Sequence, residues 1–252
     1  MRLAARVVLC VLACAGIGAV ATSARAATDV TSTNWAGYAV HADGVQFTEV
    51  IGTWVQPKVT CTSRLSTFSS FWVGLGGYAD GSRALEQTGT DASCRRGRAV
   101  YSAWYELLPD PPVDVAMAVV PGQTITAEVT VTGAEVTLTL DNLTTGASFS
   151  KPVGPAIVDT SSAEWIAKAP SACTYSGRCR TLPLANFGTV AFSGASATGN
   201  GQTGTIVDDG WLAEPIVLGS RVGTGALPSA VGDDAASFTV RTTRPRRRRH
   251  RP

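Results

Sequence analysis

Two neighbouring stretches of alternating sequence constrain the fold of this chain more than any other feature. Residues 124–131 read TITAEVTV and residues 135–140 read EVTLTL, with apolar side chains at every second position and Gly133-Ala134 between them. A period of two places successive side chains on opposite faces of a β-strand. The pattern therefore predicts an antiparallel hairpin with one buried face and one solvated face.

Similar short apolar runs continue along the chain between turns that contain Gly and Pro, and no long segment after residue 26 shows helical periodicity. Many short strands at this spacing are typical of an antiparallel sandwich or barrel. We therefore expect an all-β fold in one domain over residues 27–240. Further strands are expected at Trp35–Val40, Phe47–Val55, Phe68–Leu75, Ala84–Thr90, Ala99–Leu107, Ser161–Ile166, Thr189–Ser193 and Ile216–Leu218.

Two polar segments within this pattern are expected to be a loop and a turn. Residues 194–205, GASATGNGQTGT, consist mainly of small and polar residues, a composition typical of a mobile loop. Asn142-Leu143-Thr144 matches the acceptor pattern for N-glycosylation. It directly follows a predicted strand, so we interpret Asn142 as the cap of a tight turn.

Both ends of the chain lie outside the expected domain. Residues 1–26 carry two arginines at the start, an apolar stretch at 7–20 and the sequence Ala-Arg-Ala at the end, which predicts a secretory signal peptide cleaved after Ala26. A membrane anchor is the alternative, but the apolar stretch is shorter than the roughly 20 residues that span a bilayer. We therefore expect a secreted, extracellular protein without a membrane span after cleavage.

The C-terminal residues 241–252, RTTRPRRRRHRP, contain seven arginines and no acidic residue. This composition predicts a disordered tail. The tail either contacts an anionic surface or has no role. The domain has the opposite charge, because residues 27–240 contain 11 Lys and Arg against 19 Asp and Glu, a formal net charge of −8. Nucleic-acid-binding domains are usually basic, so nucleic acid is not an expected partner.

The acidic domain also suits a protein that works at low pH, where protonation lowers its charge. No exposed apolar helix face or coiled-coil repeat appears in the sequence. We therefore expect a monomer.

The cysteines and histidines limit the available chemistry. Four cysteines follow the signal, and an even number in an exported chain predicts two disulfides. Proximity in sequence favours Cys61–Cys94 and Cys173–Cys179, although spacing alone allows three pairings. His41 is the only histidine outside the tail, which disfavours multi-histidine metal sites and makes a Ser-His-Asp triad depend on one residue.

Four strand segments combine aromatic or Gly-rich sequence with polar functional residues. They read FWVGLGG at 71–77, LEQTGTD at 85–91, YSAWYE at 101–106 and, more weakly, SAEWI at 162–166. Such a combination on neighbouring strands is typical of a binding groove rather than of a purely apolar core.

Alternation sorts the polar side chains of two of these strands by face. If Leu85 points into the core, Gln87 points with it and Glu86 points out. Trp104 and Glu106 share a face, with Tyr105 on the opposite face. Because an inward Gln or Glu without a partner is costly, we expect a concave sheet face lined by aromatic and polar side chains that forms a substrate groove.

These segments, together with NWAGY at residues 34–38, resemble the glutamic peptidases, the eqolisin family (family G1) of secreted acid endopeptidases. The resemblance extends from about Thr33 to about Phe192 and depends on the shared order of NWAGY, WVGLGG, LEQTG, AWYE, DNLTTG and AEWI. The chain departs from fungal members at Gly76-Gly77, where they have Asp-Gly, in the few residues between the signal and NWAGY, and in the Arg-rich tail. We therefore expect a bacterial secreted member.

The resemblance implies two packed antiparallel sheets with a concanavalin A-like, lectin-like shape and a site on the concave face. It also implies a catalytic pair formed by Gln87 of LEQTG and Glu164 of AEWI. As a carboxylate, Glu164 can deprotonate a water and pass the proton to the departing nitrogen. Gln87 is neutral at every pH and can donate a hydrogen bond to the oxyanion. Polypeptides are the implied substrates, and the chemistry requires no cofactor and no metal.

Other residues of the same segments are candidates for supporting roles. Asp91 and Glu106 are candidates to tune the catalytic pair by hydrogen bonding. The candidates for contact with substrate side chains, which core packing would explain equally well, are Trp35, Trp72, Trp104 and Tyr105.

Two other functions remain open from the sequence. A non-catalytic carbohydrate-binding module on a similar sandwich would use Trp35, Trp104 and Tyr105 to stack on sugars. A glycoside hydrolase would draw two carboxylates from Glu86, Glu106 and Glu164. Neither function depends on Gln87, whereas a peptidase of this kind would be disabled by loss of either Gln87 or Glu164.

Overall fold

The alternating sequence at residues 124–140 forms the hairpin that it predicts. A computed structural model describes residues 29–243 except for 63, 155, 175–177 and 220–223. Throughout this described part the regular elements are β-strands, which confirms the all-β prediction. In chain order they are β1 (Val30–Ser32), β2 (Trp35–His41), β3 (Phe47–Val55), β4 (Ser70–Leu75), β5 (Glu86–Arg95), β6 (Arg98–Leu107), β7 (Val113–Val115), β8 (Thr124–Thr132), β9 (Glu135–Asn142), β10 (Ala147–Val153), β11 (Ser162–Lys168), β12 (Ser171–Cys173), β13 (Cys179–Thr181), β14 (Thr189–Gly199), β15 (Gln202–Thr205), β16 (Leu212–Leu218), β17 (Gly225–Pro228) and β18 (Phe238–Thr243).

The strands form two packed halves of one hydrogen-bonded sheet. The back sheet has the order β10-β9-β8-β3-β14-β18, and the front sheet has the order β16-β2-β11-β4-β5-β6-β7. Strand β17 pairs with both β18 and β16 and so joins the two halves along one side. The named strands pair antiparallel except for β1 with β16. The predicted antiparallel sandwich is therefore confirmed.

The main core lies between the two sheets and is closed by large aromatic side chains. Trp165 of the front sheet donates a hydrogen bond from its indole nitrogen to the Ile51 carbonyl of the back sheet (2.7 Å). Gly52 leaves room for that ring, because a Cβ atom there would lie 2.6 Å from Trp165 Cδ1. Trp54 of the back sheet donates to Thr90 of the front sheet (3.1 Å). These buried bonds fix how the two halves stack.

A second apolar cluster covers the opposite face of the front sheet. Its buried members are Ala39, Trp72, Leu85, Trp104, Ile166 and Ile216, with Trp35, Tyr78 and Leu108 packed against them. We call this the site face. Apolar side chains on both faces explain why every residue of β4 is buried.

The two disulfides connect the pairs that sequence proximity favours. Cys61 is bonded to Cys94 and Cys173 to Cys179. The turn after β9 also follows the prediction, because the Asn142 side-chain oxygen accepts hydrogen bonds from the backbone of Thr144 and Thr145 (3.2 Å each). The Asn142 side chain is buried in this role.

The prediction of a mobile loop at residues 194–205 is wrong. This segment forms the end of β14 and the whole of β15, joined by a turn at Asn200-Gly201 with positive φ angles of 49° and 80°. Alternate residues are buried, including Ala195 and Ala197. Because the side chains that are buried here are small, their alternation is too weak to recognise by hydrophobicity.

The ends of the chain are described only in part. Strand β18 continues to Thr243, three residues beyond the expected end of the domain at residue 240. The predicted signal peptide and residues 244–252 of the predicted tail lie outside the described residues. Within the described range, no helix is long and apolar enough to cross a membrane.

Candidate active site

One row of paired residues across the front sheet brings the two candidate catalytic residues together. Glu164 of β11 pairs with Gly74 of β4, Gly74 pairs with Gln87 of β5, and Gln87 pairs with Glu106 of β6. Directly paired residues point to the same face of a sheet. Adjacent strands are about 4.8 Å apart, so the backbones of Gln87 and Glu164 are separated by roughly 10 Å on either side of Gly74.

Gly74 lets its neighbours pack closely between these two side chains. A Cβ atom there would lie 2.9 Å from the Glu86 carbonyl oxygen, 2.9 Å from Trp72 Cζ3 and 3.1 Å from Gln87 Cβ. Contacts below 3.0 Å are too short for a real side chain. The glycine in WVGLGG therefore serves the site directly.

Glu164 is a completely buried carboxyl group. Within the described part of the chain, neither of its oxygens has a hydrogen-bond partner. Burial raises the pKa of Glu164 well above its usual value, and the nearby charges of Asp159 and Glu86 raise it further. Glu164 thus has a high proton affinity, and both of its oxygens are able to bind a water or a substrate.

A neighbouring carboxyl group holds the Gln87 amide in place. Gln87 is completely buried, and its Nε2 donates a hydrogen bond to Glu106 Oε2 (2.5 Å). An ionised carboxylate accepts only, so this bond fixes which side of the amide carries the nitrogen. Burial raises the pKa of Glu106, while Lys168 and Gln87 lower it. The second N–H of Gln87 stays available, and its Oε1 has no partner among the described side chains.

The next polar row of the site face contains Lys168, which the sequence reasoning missed. Lys168 pairs with Ser70, and Ser70 pairs with Asp91. The Ser70 hydroxyl donates to Asp91 Oδ1 (2.6 Å), and the Lys168 Nζ lies 5.8 Å from the centre of the Trp72 ring. Burial lowers the pKa of Lys168, opposed by the charges of Glu106 and Asp91. Alternation from Glu164 could have found it, because Lys168 is four residues further along β11.

Between these two polar rows lies an aromatic row. Ile166, Trp72, Gly89 and Trp104 are paired in that order across β11, β4, β5 and β6. Trp35 packs edge-on against Trp72, with 5.0 Å between the ring centres. Three of the predicted aromatic candidates therefore lie on the site face.

Comparison with known proteins identifies the family to which this chain belongs. The sequence profile of the Peptidase A4 family matches residues 33–224. This chain belongs to the Peptidase A4 family. Aspergillopepsin-2 of Aspergillus niger is 32% identical to it over 196 residues, which cover 68% of this chain and 66% of that protein. The match thus spans slightly less than two thirds of that relative's length.

Solved structures of glutamic peptidases have the same fold as this Peptidase A4 family member. Scytalido-glutamic peptidase, in a complex with a transition state analog inhibitor, superposes with a TM-score of 0.69 at 26% identity over 84% of this chain and 99% of that chain. Aspergilloglutamic peptidase from Aspergillus niger gives a TM-score of 0.59 at 29% identity over 70% of this chain and 99% of that chain. The resemblance to eqolisins is confirmed, whereas a bacterial origin stays a prediction.

Tyr105 is one candidate that this Peptidase A4 chain does not bring to the site. Alternation along β6 places it on the face opposite to Trp104 and Glu106, where it stacks against Phe149 of the back sheet (5.8 Å between ring centres). Tyr105 also lines a separate cavity of about 340 Å³ near Pro109. The same alternation already separated it from Trp104 in the sequence.

Tyr78 is a site residue that sequence reasoning missed. It lies between two surface clefts, one of about 460 Å³ that includes His41 and Ser162 and one of about 320 Å³ that includes Trp35. Its ring stacks on His41 with 5.0 Å between centres. Burial raises the pKa of Tyr78, and the charges of Glu214 and Glu164 add to this effect. No motif marked Tyr78, because it lies in a loop that only the fold brings beside Glu164.

The expectation that Glu86 points outward is wrong. Glu86 is completely buried, because the face of β5 opposite to Gln87 is the interior of the sandwich. Its Oε1 accepts a hydrogen bond from the Asp159 backbone (3.4 Å), and burial raises the pKa of Glu86 to about 8. Alternation assigned Glu86 and Gln87 to opposite faces correctly, but it could not show that both faces are covered.

Asp159 lies beside Gly76-Gly77, the sequence position at which fungal members of the family are expected to have Asp-Gly. A Cβ atom at Gly76 would lie 2.4 Å from the Asp159 carbonyl oxygen and 2.8 Å from its Cγ. Burial opposes ionisation of Asp159, but hydrogen bonds from Ser161, Ser82 and Gly77 outweigh it and lower the pKa. A carboxylate from another loop therefore occupies this region.

The site shows no arrangement for a metal ion. Over the described part of the chain, no group of three or more His, Cys, Asp or Glu side chains is placed to hold one.

Proposed function

We propose that this protein is an acid endopeptidase in which Gln87 and Glu164 act together on the scissile peptide bond. The observation that carries the proposal is the placement of both side chains on one face, on either side of Gly74, in a chain of the Peptidase A4 family. Both residues are completely buried, yet both have polar atoms without a protein partner. Such atoms are costly unless the site uses them.

Glu164 is the general base and then the general acid. As a carboxylate it takes a proton from a water while the water oxygen attacks the carbonyl carbon. It then gives this proton to the amide nitrogen as the carbon–nitrogen bond breaks. The raised pKa of Glu164 makes its carboxylate a stronger base, and it also lowers the fraction of Glu164 that is ionised in acid, so the rate should fall toward the acidic end of the range.

Gln87 stabilises the negative charge that develops on the carbonyl oxygen. One N–H of its amide is used by Glu106, and the second can donate to the oxyanion. The Gln87 Oε1 can accept a hydrogen bond from the attacking water and orient it. A donor that is already oriented acts without reorganisation, which is why such donors contribute strongly to catalysis.

The surface next to this pair suits an extended polypeptide substrate. The two clefts on either side of Tyr78 can each hold residues of the chain on one side of the scissile bond. Trp35 lines one cleft and packs on Trp72, so apolar side chains of a substrate would contact these rings. Export of the protein is part of this proposal, because both disulfides suit an oxidising compartment.

The geometry disfavours a two-carboxylate glycoside hydrolase. Glu86 faces the interior of the sandwich, which leaves Glu106 and Glu164 on the site face. Three strand spacings separate these two residues, roughly 14 Å between backbones. Glu106 is also engaged by Gln87. Paired carboxylates in glycoside hydrolases lie about 5 to 9.5 Å apart. The side chains of Glu106 and Glu164 would have to extend far toward each other to reach this separation.

The test is cleavage of unfolded casein or haemoglobin by the purified protein, followed from about pH 2 to 7 with a chelator and pepstatin present. We expect cleavage in the acidic range that Gln87→Ala and Glu164→Gln each abolish. The matched controls are Gln202→Ala and Glu135→Gln, which change exposed residues outside the site face. Cleavage that persists in the first two variants, or no cleavage by the folded wild type, would refute the proposal.

A further inference from the structure

The basic residues of this acidic domain are concentrated at one end of the molecule. Seven of the 11 Lys and Arg residues in 27–240 lie in segments 56–69, 92–101 and 170–188, which contain no Asp or Glu. The remainder of 27–240 therefore has four basic and 19 acidic residues. All seven side chains are exposed; they are Lys58, Arg64, Arg95, Arg96, Arg98, Arg178 and Arg180. We call this set the basic end.

Backbone hydrogen bonds show that the three segments are neighbours. Thr67 and Cys94 exchange backbone bonds of 3.0 and 2.8 Å. The next residue, Phe68, donates to the Pro183 carbonyl (2.8 Å) and accepts from Ala185 (2.9 Å). Thus Phe68 lies between the turn that carries Arg95 to Arg98 and the segment that follows Arg180.

The basic end is also firmly held. The Cys61–Cys94 disulfide connects the first segment to the β5–β6 turn, and the Cys173–Cys179 disulfide closes the β12–β13 hairpin. The Arg95 guanidinium lies 5.8 Å from the centre of the Phe68 ring. Charges on a rigid support lose less entropy when they bind a partner than charges on a flexible chain.

The last described residues of the chain lie at the same end. Thr242 donates from its backbone to the Gly188 carbonyl (2.8 Å) and from its hydroxyl to Asn186 Oδ1 (3.0 Å). The Asn186 carbonyl in turn accepts from Thr60 (2.9 Å). The sequence beyond Thr243 contains six more arginines. Both sets of positive charge therefore begin from one region of the surface.

This region is separate from the Gln87–Glu164 site. Strand β5 runs from Gln87 to Arg95 over eight residues, which corresponds to about 26 Å. A partner bound at the basic end would thus leave the site face accessible. The inference does not depend on the proposed peptidase activity.

We propose that the basic end binds a polyanion that carries phosphate or sulfate groups along its chain. Arginine keeps its charge at every relevant pH, and phosphate and sulfate esters remain anionic in acid. Carboxylate polymers lose most of their charge there. The acidic remainder of the domain repels a polyanion, so the molecule would bind through one end and present the rest to the solution.

The test compares binding of the full chain to dextran sulfate and to long-chain polyphosphate, which distinguish sulfate from phosphate sources, with polyglutamate as the carboxylate probe. The triple variant Arg95→Gln, Arg96→Asn, Arg98→Gln removes the β5–β6 charges; Asn suits the positive φ of 53° at residue 96. The control is the double variant Arg83→Gln, Lys151→Gln, which removes two exposed charges outside the basic end.

At about pH 4 and low salt we expect the β5–β6 triple variant to bind dextran sulfate or polyphosphate at least about tenfold more weakly than the wild type does. The affinity of the control variant should change less than about threefold. The slope of log Kd against log salt should fall by about 2 to 3 in the first variant, because fewer counterions are released. Equal losses in both variants, no loss in either, or tighter binding of polyglutamate than of both dextran sulfate and polyphosphate would overturn the proposal. A denaturant unfolding midpoint equal to that of the wild type would show that the β5–β6 variant is folded.

Discussion

At the residue scale, the decisive contact is the hydrogen bond from Gln87 to Glu106. Alternation correctly predicts that Trp104 and Glu106 share a face, and the family resemblance supplies Gln87 and Glu164. The sequence could not show that Glu106 would fix the orientation of the Gln87 amide, because that depends on the register between β5 and β6. It also could not show that Glu86 is buried, since a pattern of period two says nothing about what covers the second face.

The Glu106→Gln variant tests this contact. A glutamine at 106 can either donate or accept, so the orientation of the Gln87 amide would no longer be fixed. We expect kcat to fall by about tenfold to a hundredfold with little change in KM, because substrate contacts remain. The Glu106→Asp variant should not restore the rate, because its carboxylate is too short to reach. A kcat equal to that of wild type in Glu106→Gln would show that the bond has no positioning role.

At the scale of the elements, strand β4 is the central part of the site. It lies between the two strands that carry Glu164 and Gln87, and its glycine at position 74 has no side chain where Trp72 and Gln87 approach closely. Strong alternation gave the positions of β3, β8 and β9 closely, whereas short strands such as β7, β12 and β17 carry too few residues to show a period. The order of the strands across the sheet comes from long-range pairing, which no local pattern contains.

The Gly74→Ala variant should inactivate the protein with a limited loss of stability. The new methyl group would lie 2.9 Å from the Glu86 carbonyl oxygen and 3.1 Å from Gln87 Cβ. It would project between the side chains of Gln87 and Glu164. We expect the free energy of unfolding to fall by about 1 to 3 kcal/mol and cleavage to be lost at temperatures where the fold persists. Denaturant unfolding and a cleavage assay measure the two effects.

A control separates this effect from a general sensitivity to alanine. Gly154→Ala places a methyl group no closer than 3.3 Å to its neighbours, outside the site face. It should retain activity. Full activity in Gly74→Ala would contradict the assignment of this space to the reaction.

At the scale of the whole molecule, buried carboxyl groups set the pH range in which the fold is stable. Burial raises the pKa of Glu86, Asp91, Glu106 and Glu164, and of Glu128 in the back sheet. A group with a raised pKa in the folded state holds its proton there while the unfolded chain releases it. The stability contributed by these groups is therefore complete at acidic pH and declines as the pH rises, whereas the contribution of Asp159, whose pKa is lowered, is lost in acid.

The Glu86→Gln variant isolates one part of this effect. The unfolded glutamate ionises near its ordinary value of 4.5, and the folded one near 8. Between these values the wild type should lose about 1.4 kcal/mol of unfolding free energy per pH unit from this group. The variant should show a flatter dependence, because Gln can still accept the bond from Asp159 and cannot ionise. Denaturant unfolding from about pH 4 to 8 measures the difference.

The exposed Glu135→Gln variant serves as the control and should keep the slope of the wild type. A slope unchanged in Glu86→Gln as well would mean that Glu86 is ionised in the folded protein. That result would also mean that the Glu86 charge is present to raise the pKa of Glu164.

The strand order affects how well each molecule resists cleavage by other copies of itself. One side of the sandwich is closed by β17, so the main strand order of the described residues ends at β10 and β7 on the other side. A peptidase that binds extended chains can cleave an unpaired edge strand of an identical molecule. Strand β7 has three residues, and β10 contains Pro152, which has no N–H to offer a new partner. Strands β7 and β10 are thus poorly suited to bind in the cleft of a neighbouring copy and be cleaved.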